Sequence, residues 1–356
     1  MSFYAQQFFD NQTAIQQFLK LPGQLYTTRT IKQNYEEEHQ ILTQKHPLSH
    51  YFSFTGFLVY SEDQVVARAL LVVYPDDLRG YIGYYECSHS SAAAKALFEA
   101  ISQRAKELHI TYLVGPYNAN FWLQYRLKLD TFDASSYTGE PSNLGYYAGQ
   151  WKRNGFALAH TYVSNEYGFK FNRSDAAQFT KATKRARSKS YIIKSPQPRE
   201  FDTVIRTVHE LITKLYFDFP GYKPITVDEF VSIAQSFRPI LDYHFVKFAY
   251  ADQEPVGFVV GFPDYGNLLY RPQTTITRIR IGIRKIRAPR YIIMYLGVLP
   301  EHTGLGKALV RPLVISALLR GARTIGALAL VNKVTAGYGA HMIKRQFHYG
   351  LFEKRL

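Results

Sequence analysis

The stretch Tyr291-Ile-Ile-Met-Tyr-Leu-Gly-Val-Leu-Pro-Glu-His-Thr-Gly-Leu-Gly-Lys-Ala-Leu309 decides how the rest of the chain is read. An apolar run stops at Pro300, a short glycine-bearing turn comes next, and a helical pattern begins, so the order is strand, loop, helix. Glycines 304 and 306 let the backbone come close to a ligand. The first helical turn beyond them offers amide N–H groups with no intrahelical partner, together with the positive end of the helix dipole. Such a turn is a cradle for an anion. Two glycines alone make only a tight turn, so the surrounding chain has to decide between these readings.

Before this stretch, residues 245–250 and 256–262 form a hairpin around Ala251-Asp-Gln-Glu-Pro255, and strand 291–298, helix 304–320 and strand 324–331 come after it. The same order occurs earlier in the chain. Runs 52–60 and 65–74 flank the turn Ser61-Glu-Asp-Gln64, then come a strand at 80–86, an Ala-rich helix at 91–108 and a strand at 110–114. Each half is hairpin, strand, helix, strand, at a spacing of roughly 190–200 residues, which points to a tandem duplication. A helix is expected at 11–21, stopped by Pro22-Gly23, and a closing strand at 162–171. Residues 180–190 are basic and weakly patterned and read as a linker or mobile loop. Helical spacing returns at 200–217, and Thr226-Val-Asp-Glu229 is a capping box opening a further helix.

Leu296-x-Val298-x-Pro300-Glu301 followed by Gly304-x-Gly306-x-Ala308-Leu309 resembles motif A of the GNAT acyltransferase superfamily, whose loop amides hold the pyrophosphate of an acyl-coenzyme A. Against the usual Arg/Gln-x-x-Gly-x-Gly/Ala, the three defining positions fall on Thr303, Gly306 and Ala308, and Thr303 departs from the pattern. Leu21-Pro-Gly-Gln-Leu-Tyr26, Lys45-His-Pro47, Gly83-Tyr-Tyr-Glu86, Gly115-Pro-Tyr-Asn118, Gly257-Phe-x-x-x-Phe-Pro-Asp264 and Arg290-x-x-x-x-x-Gly-Val-x-Pro-Glu301 also resemble, in order, landmarks of a family of long bacterial tandem GNAT-like proteins. The resemblance implies an α+β fold of two tandem GNAT domains, each a mixed, mostly antiparallel sheet flanked by helices. The expected division is 1–175, a basic linker at 176–195, and 196–356. Where the second half has Gly304-Leu-Gly306, the first has Cys87-Ser-His-Ser90, with no glycine, so only the second half is expected to bind coenzyme A.

The same resemblance supplies roles. Leu296 and Val298 would line the pantetheine arm, with the Val298 amide at the thioester carbonyl, and Thr303, Gly304, Leu305, Gly306, Lys307 and Ala308 would surround the pyrophosphate. Asn332 matches an Asn often placed beside the cofactor, and Tyr338 lies near a Tyr used as the acid that meets the leaving sulfur, although the usual Asn-to-Tyr spacing is not kept. Acyl transfer to an amine also needs the amine neutral. Asp264, Tyr295 and His341 are the candidate bases, against packing, turn-capping or surface roles for each, and deprotonation through water needs none of them.

Composition sets the outer limits. The chain has 356 residues, 46% apolar, enough for two cores, and 43 basic against 28 acidic residues give +15, a charge that attracts polyanions generally. No run suits a membrane span, and no signal peptide is recognisable, so a cytoplasmic location is expected. The lone Cys87 reads as packing, and the 11 histidines lack metal-ligand spacing, so no metal is expected. In 277–287 basic and apolar residues alternate with period two, which reads as an extended piece with Arg278, Arg280 and Arg284 on one face. It is either a charge-guarded edge strand or, with 181–190, a contact for an anionic surface or tRNA. Three functions fit these features: an acyl-coenzyme A-dependent N-acyltransferase with an unknown amine acceptor, a Fem-type aminoacyl transferase using aminoacyl-tRNA, and a non-catalytic anion-binding module.

Overall fold

The computed structural model describes residues 2–28, 30–75, 77–168 and 172–356. They form two compact units. One comprises Met1–Ala134, Pro141–Tyr162 and His348–Leu356, and the other Ser135–Glu140 and Val163–Phe347. The expected boundaries at 175 and 195 both fall inside the second unit.

In the first unit the chain forms β1 (Phe3–Phe8), α1 (Gln12–Leu25), α2 (Tyr35–Leu42), the hairpin β2 (Ser53–Ser61) and β3 (Gln64–Val73), β4 (Arg79–Cys87), α3 (Ser91–Glu107), β5 (Tyr112–Gly115), the short β6 (Leu127–Lys128) and α4 (Tyr147–Arg153). Strand β7 (Ala157–Tyr167) begins here. Strands β1 to β5 lie in chain order across the sheet. All pairs are antiparallel except β4 with β5, which run parallel over 79–81 and 112–114. Ser90 caps α3 by accepting from the Ala93 amide, and Ala94, Leu97, Phe98 and Ile101 on one helical face bury against Phe57, Ala67, Leu71 and Ile82. Each large side chain so buried contributes about 1.5–3 kcal/mol.

The α1 helix does not stop at Pro22 as expected. It runs on to Leu25, with Pro22 buried inside it. A proline lacks the amide that would bond four residues back. The orphaned carbonyl is that of Phe18, and the Arg68 guanidinium donates to it at 2.8 Å, which makes the interior proline tolerable.

The second unit holds the rest of β7, α5 (Arg173–Ser188), β8 (Ile192–Lys194), α6 (Phe201–Tyr216), α7 (Val227–Ala234), β9 (Val246–Ala251), β10 (Glu254–Pro263), α8 (Thr275–Ile286), β11 (Arg290–Val298), α9 (Gly306–Leu319), β12 (Arg323–Leu330) and the start of β13 (Ile343–Arg355), whose end pairs with β5 in the first unit. Its strands run in the order β7, β12, β11, β10, β9, β8, and β11 with β12 is parallel. Helix α9 lies on this sheet through Leu305, Leu309, Leu313 and Ala317, against Phe245, Val259 and Tyr291. The expected capping box of Thr226 and Glu229 is present at α7.

Two further expectations fail. Residues 173–188, read largely as linker or loop, are helix α5, opened by a reciprocal cap between Asn172 and Asp175 and held by buried Ala186. Residues 275–286, read as extended, are helix α8, capped by the Thr274 hydroxyl, which accepts from the Thr277 amide. Ile276, Ile279, Ile283 and Ile286 also satisfy helical spacing, and the cap decides between the two periods. The expected strand 162–171 is β7 as far as Tyr167, and 169–171 lie outside the described residues.

Candidate functional site

Strand β11 is paired on both sides over only part of its length. It pairs with β10 throughout, whereas its parallel pairing with β12 ends at Ile293 and Gly326. A register shift opposite Val260 and Gly261 leaves Met294 as an extra residue on β11, a bulge that bends the strand as the pairing with β12 stops. Beyond it the two strands splay apart. Leu299 donates its amide to Val256 on β10, and amides alternate sides along a strand, so the Val298 N–H points away from β10 toward the open gap. Leu296 and Val298 both lie on this stretch of β11 and are part-exposed.

At the mouth of this gap the chain makes a single turn at Pro300–His302, and the Thr303 hydroxyl donates back to the Pro300 carbonyl at 2.7 Å. Thr303 therefore serves the turn. Gly304 has φ +104°, a conformation that favours glycine. Helix α9 starts at Gly306 with no side chain among the described residues capping its first amides. A Cβ added to Gly306 would lie 3.5 Å from the Tyr338 hydroxyl, which brings that phenol to the helix start. Burial holds the Tyr338 phenol above its ordinary range, so it stays protonated at neutral pH. Leu305 and Ala308 face the core and set the helix close to the sheet, and Asn332 lies exposed in the turn after β12.

Helix α5 forms a wall beside this turn. The Arg185 guanidinium comes within 3.7 Å of a Cβ placed on Gly304, Gln178 accepts a 2.8 Å hydrogen bond from the Lys307 ammonium, and Tyr191 bonds the His302 ring at 2.8 Å. Arg185 was not singled out from the sequence, because its segment read as a linker; the Asn172-Arg-Ser-Asp175 cap was the signal that a helix begins there.

Of the candidate bases, Asp264 lies away from this turn. Asp264 is buried and forms an ion pair with Arg290 at 2.7 Å, while accepting from Thr138 and from the Gly266 amide. It sits at the Arg290 end of β11, the glycine turn lies past the Val298 end, and a strand of that length spans about 25–30 Å. Its carboxylate is scaffolding for the strand. His341 pairs with Asp175 at 2.8 Å, and Tyr295 stands 40% exposed on β11. The structure brings Tyr338, Gly304, Gly306, Lys307, Leu296 and Val298 to one place and leaves Asp264 out.

The corresponding turn of the first unit is filled. Tyr146 donates to the Cys87 carbonyl at 2.9 Å, Gln150 donates to the carbonyls of Ser88 and Ser90, and the Tyr147 hydroxyl accepts from the Cys87 amide at 3.1 Å. The Tyr117 amide returns to the Ile82 carbonyl and the Tyr84 amide donates to the Asn118 side chain, which closes the gap beside β4.

No family model matches the chain. Over 190 residues it is 24% identical to a bacterial ceramide synthase of Caulobacter vibrioides; the match covers 52% of this chain and 48% of that protein, so the chain spans about half of that relative's length. Over 382 residues, 98% of this chain and 94% of the relative, it is 21% identical to Protein YghO of Escherichia coli K12. Among solved structures, a tandem GNAT protein from the clavulanic acid biosynthesis pathway superposes with a TM-score of 0.54 over 99% of this chain and 98% of that one, at 12% identity. The architecture is a tandem GNAT fold.

Proposed function

We propose that the chain is a coenzyme A-dependent N-acyltransferase with one active site, in the second unit. The observation that carries the proposal is the open β11/β12 gap, which ends at an uncapped, glycine-bearing helix start with Arg185, Lys307 and Tyr338 around it. Amides at 304–308 would receive the pyrophosphate of acetyl-CoA or a longer acyl-CoA, and the two cations would add charge. The pantetheine arm would track along the gap past Leu296, bringing the thioester carbonyl to the Val298 amide, a donor poised for a developing oxyanion. Attack by the acceptor amine then expels the thiolate, the protonated Tyr338 phenol donates its proton to it, and the phenolate is reprotonated from water. With Asp264 committed to Arg290, the acceptor loses its proton through water. The name of the Caulobacter relative fits such a reaction, because a ceramide is an N-acylated long-chain amine. Release of free coenzyme A thiol from acetyl-CoA and longer acyl-CoAs, in the presence of a panel of amines, tests the proposal. Turnover that needs both substrates and falls in Tyr338→Phe supports it. Saturable acyl-CoA binding without turnover on any amine would leave the non-catalytic anion-binding reading, and no binding at all would move attention to aminoacyl-tRNA.

A further inference from the structure

The first unit contains a cavity of about 70 Å³, open to solvent, lined among others by Tyr26, Arg68, Tyr84, Glu86, Asn118 and Arg126. Its walls hold buried polar atoms without partners among the described residues. Arg68 donates one nitrogen to Phe18 and Glu38 and another to Glu38, yet its Nε has no acceptor. The buried Tyr84 hydroxyl has none either, and neither does Arg126 Nε. The Arg126 guanidinium stacks on the rings of Tyr125 and Tyr162 at 3.9 and 4.2 Å, with no carboxylate partner among the described residues. Glu38 is satisfied by Arg68 and Gln33, whereas Glu86 is fixed by the Tyr147 hydroxyl at 2.6 Å beside Tyr26. Tyr84 and Arg126 also share positive φ angles, +51° and +83°, which cost a bulky residue energy and recur where a site is preorganised. Buried unpaired donors are expensive unless a ligand completes them.

We propose that this cavity is a second ligand site, separate from the acyl-donor site, for a small molecule bearing a protonated amine and an anionic group, the α-amino acid class. The amine would meet Glu86 and the Tyr84 hydroxyl, and the anionic group the Nε donors of Arg126 and Arg68. The Glu86 carboxyl is pushed up to about 7, chiefly by desolvation, so a cationic amine would also draw it into the ionised form. Calorimetric titration of the full chain with glycine, L-serine, ethanolamine and acetate tests the site. Saturable binding of glycine or L-serine, with ethanolamine and acetate each at least about tenfold weaker, is expected. Glu86→Gln and Arg126→Gln should each lose that binding about tenfold or more, and Tyr84→Phe should weaken it while leaving the fold intact, since the lost hydroxyl had no partner. No binding by either amino acid, equal binding of acetate or ethanolamine, or unchanged binding in folded Tyr84→Phe and Arg126→Gln would overturn the proposal. The acyl-CoA reading is untouched by any of these outcomes.

Helix α8 of the second unit independently supports another inference, because it turns its apolar side to solvent. Ile276, Ile279, Ile283 and Ile286 are 64, 57, 59 and 78% exposed, and Thr277 is its buried residue. The four isoleucines fall within one stripe of the helix, bordered by Arg278, Arg280, Arg284 and Arg287, and the helix carries no acidic residue. An apolar stripe edged by cations matches a bilayer surface bearing anionic lipids, which offers acyl chains below a negative headgroup layer. We infer that α8 docks there. Cosedimentation with vesicles of phosphatidylcholine, alone or mixed with phosphatidylglycerol, should show binding to the mixed vesicles only. Ile279→Ser with Ile283→Ser, and separately Arg278→Glu with Arg280→Glu, should each reduce it about tenfold. No binding to mixed vesicles, or binding that ignores both variants, would overturn the inference. A concentration-dependent dimer that disappears in the Ile279→Ser, Ile283→Ser protein would also overturn it, because a second copy would then cover the stripe.

Discussion

The two strand, turn and helix segments, β4 to α3 and β11 to α9, share a parallel neighbour paired only at the start of the strand and a register irregularity further along. They differ in the surroundings of the turn. In the first unit the residues after β5 fold back onto β4, and α4 supplies Tyr146, Tyr147 and Gln150 to occupy the backbone groups of the turn. In the second unit the gap stays open, the turn is bare, and cations from α5 and α9 stand beside it. One scaffold therefore gives a sealed turn and an open one. The sealed unit keeps its polar cavity on other residues of β4, while the open unit leaves the gap and helix start to which the acyl-donor proposal is assigned.

The largest expected effect comes from forcing the sealed turn apart. A Cβ on Gly83 would lie 2.3 Å from the Tyr117 carbonyl oxygen, a backbone atom that cannot swing aside. Gly83→Ala should destabilise by about 3 kcal/mol, read from denaturant melts, and an unchanged midpoint would show that the fold-back over β4 is loose. In the open unit, Tyr338→Phe should lower turnover about 10- to 100-fold with acyl-CoA affinity held, as steady-state kinetics and direct binding would separate. A matched loss of affinity would make the phenol a wall of the turn instead of an acid.

Glu86→Gln probes the difference between the units through pH. The Glu86 carboxyl is raised in the fold from 4.5 to about 7 by desolvation, with Glu38 adding to the rise and Arg68, Tyr147 and Tyr26 opposing it. Its contribution to stability is full below 4.5 and is lost as pH rises through 7. The variant, which cannot ionise, should gain about 3 kcal/mol on the wild type between pH 4.5 and 8. Glu37, also raised to about 7, is common to both proteins and cancels. Parallel pH profiles would contradict a desolvated Glu86 in the cavity wall. The smallest effect belongs to Arg185→Gln, which should weaken acyl-CoA binding about fivefold and flatten its salt dependence, since the amides remain and one exposed charge is lost.

Most of this architecture was legible in the sequence because it rests on short-range rules. The hairpins, the helix at Ser91 and the turn at Gly304 are declared by turn residues, caps and period. The features that escaped are set by tertiary context. Residues 173–188 are too basic to read as a packed helix until Ala182 and Ala186 are seen against α9, and 275–286 fit two periods equally. Arg68 rescues the Phe18 carbonyl from fifty residues away, so no local rule predicted that α1 would pass Pro22. Asp264 follows a strand in a loop, where a carboxylate fits a base or a turn cap alike, and its ion pair with Arg290 exists only once β10 and β11 are adjacent.

The most direct test titrates acetyl-CoA by calorimetry, at low and moderate salt, into the wild-type chain, Gly306→Glu and Ser88→Glu. Gly306 has room for a Cβ, and a carboxylate suits a helix start, so the first variant should fold while placing negative charge in the cradle. Saturable binding that survives moderate salt is expected in the wild type and in Ser88→Glu, with a fall of about 100-fold or more in Gly306→Glu. Binding that persists in Gly306→Glu, or that is lost in Ser88→Glu, would contradict the assignment of the open turn as the coenzyme A site.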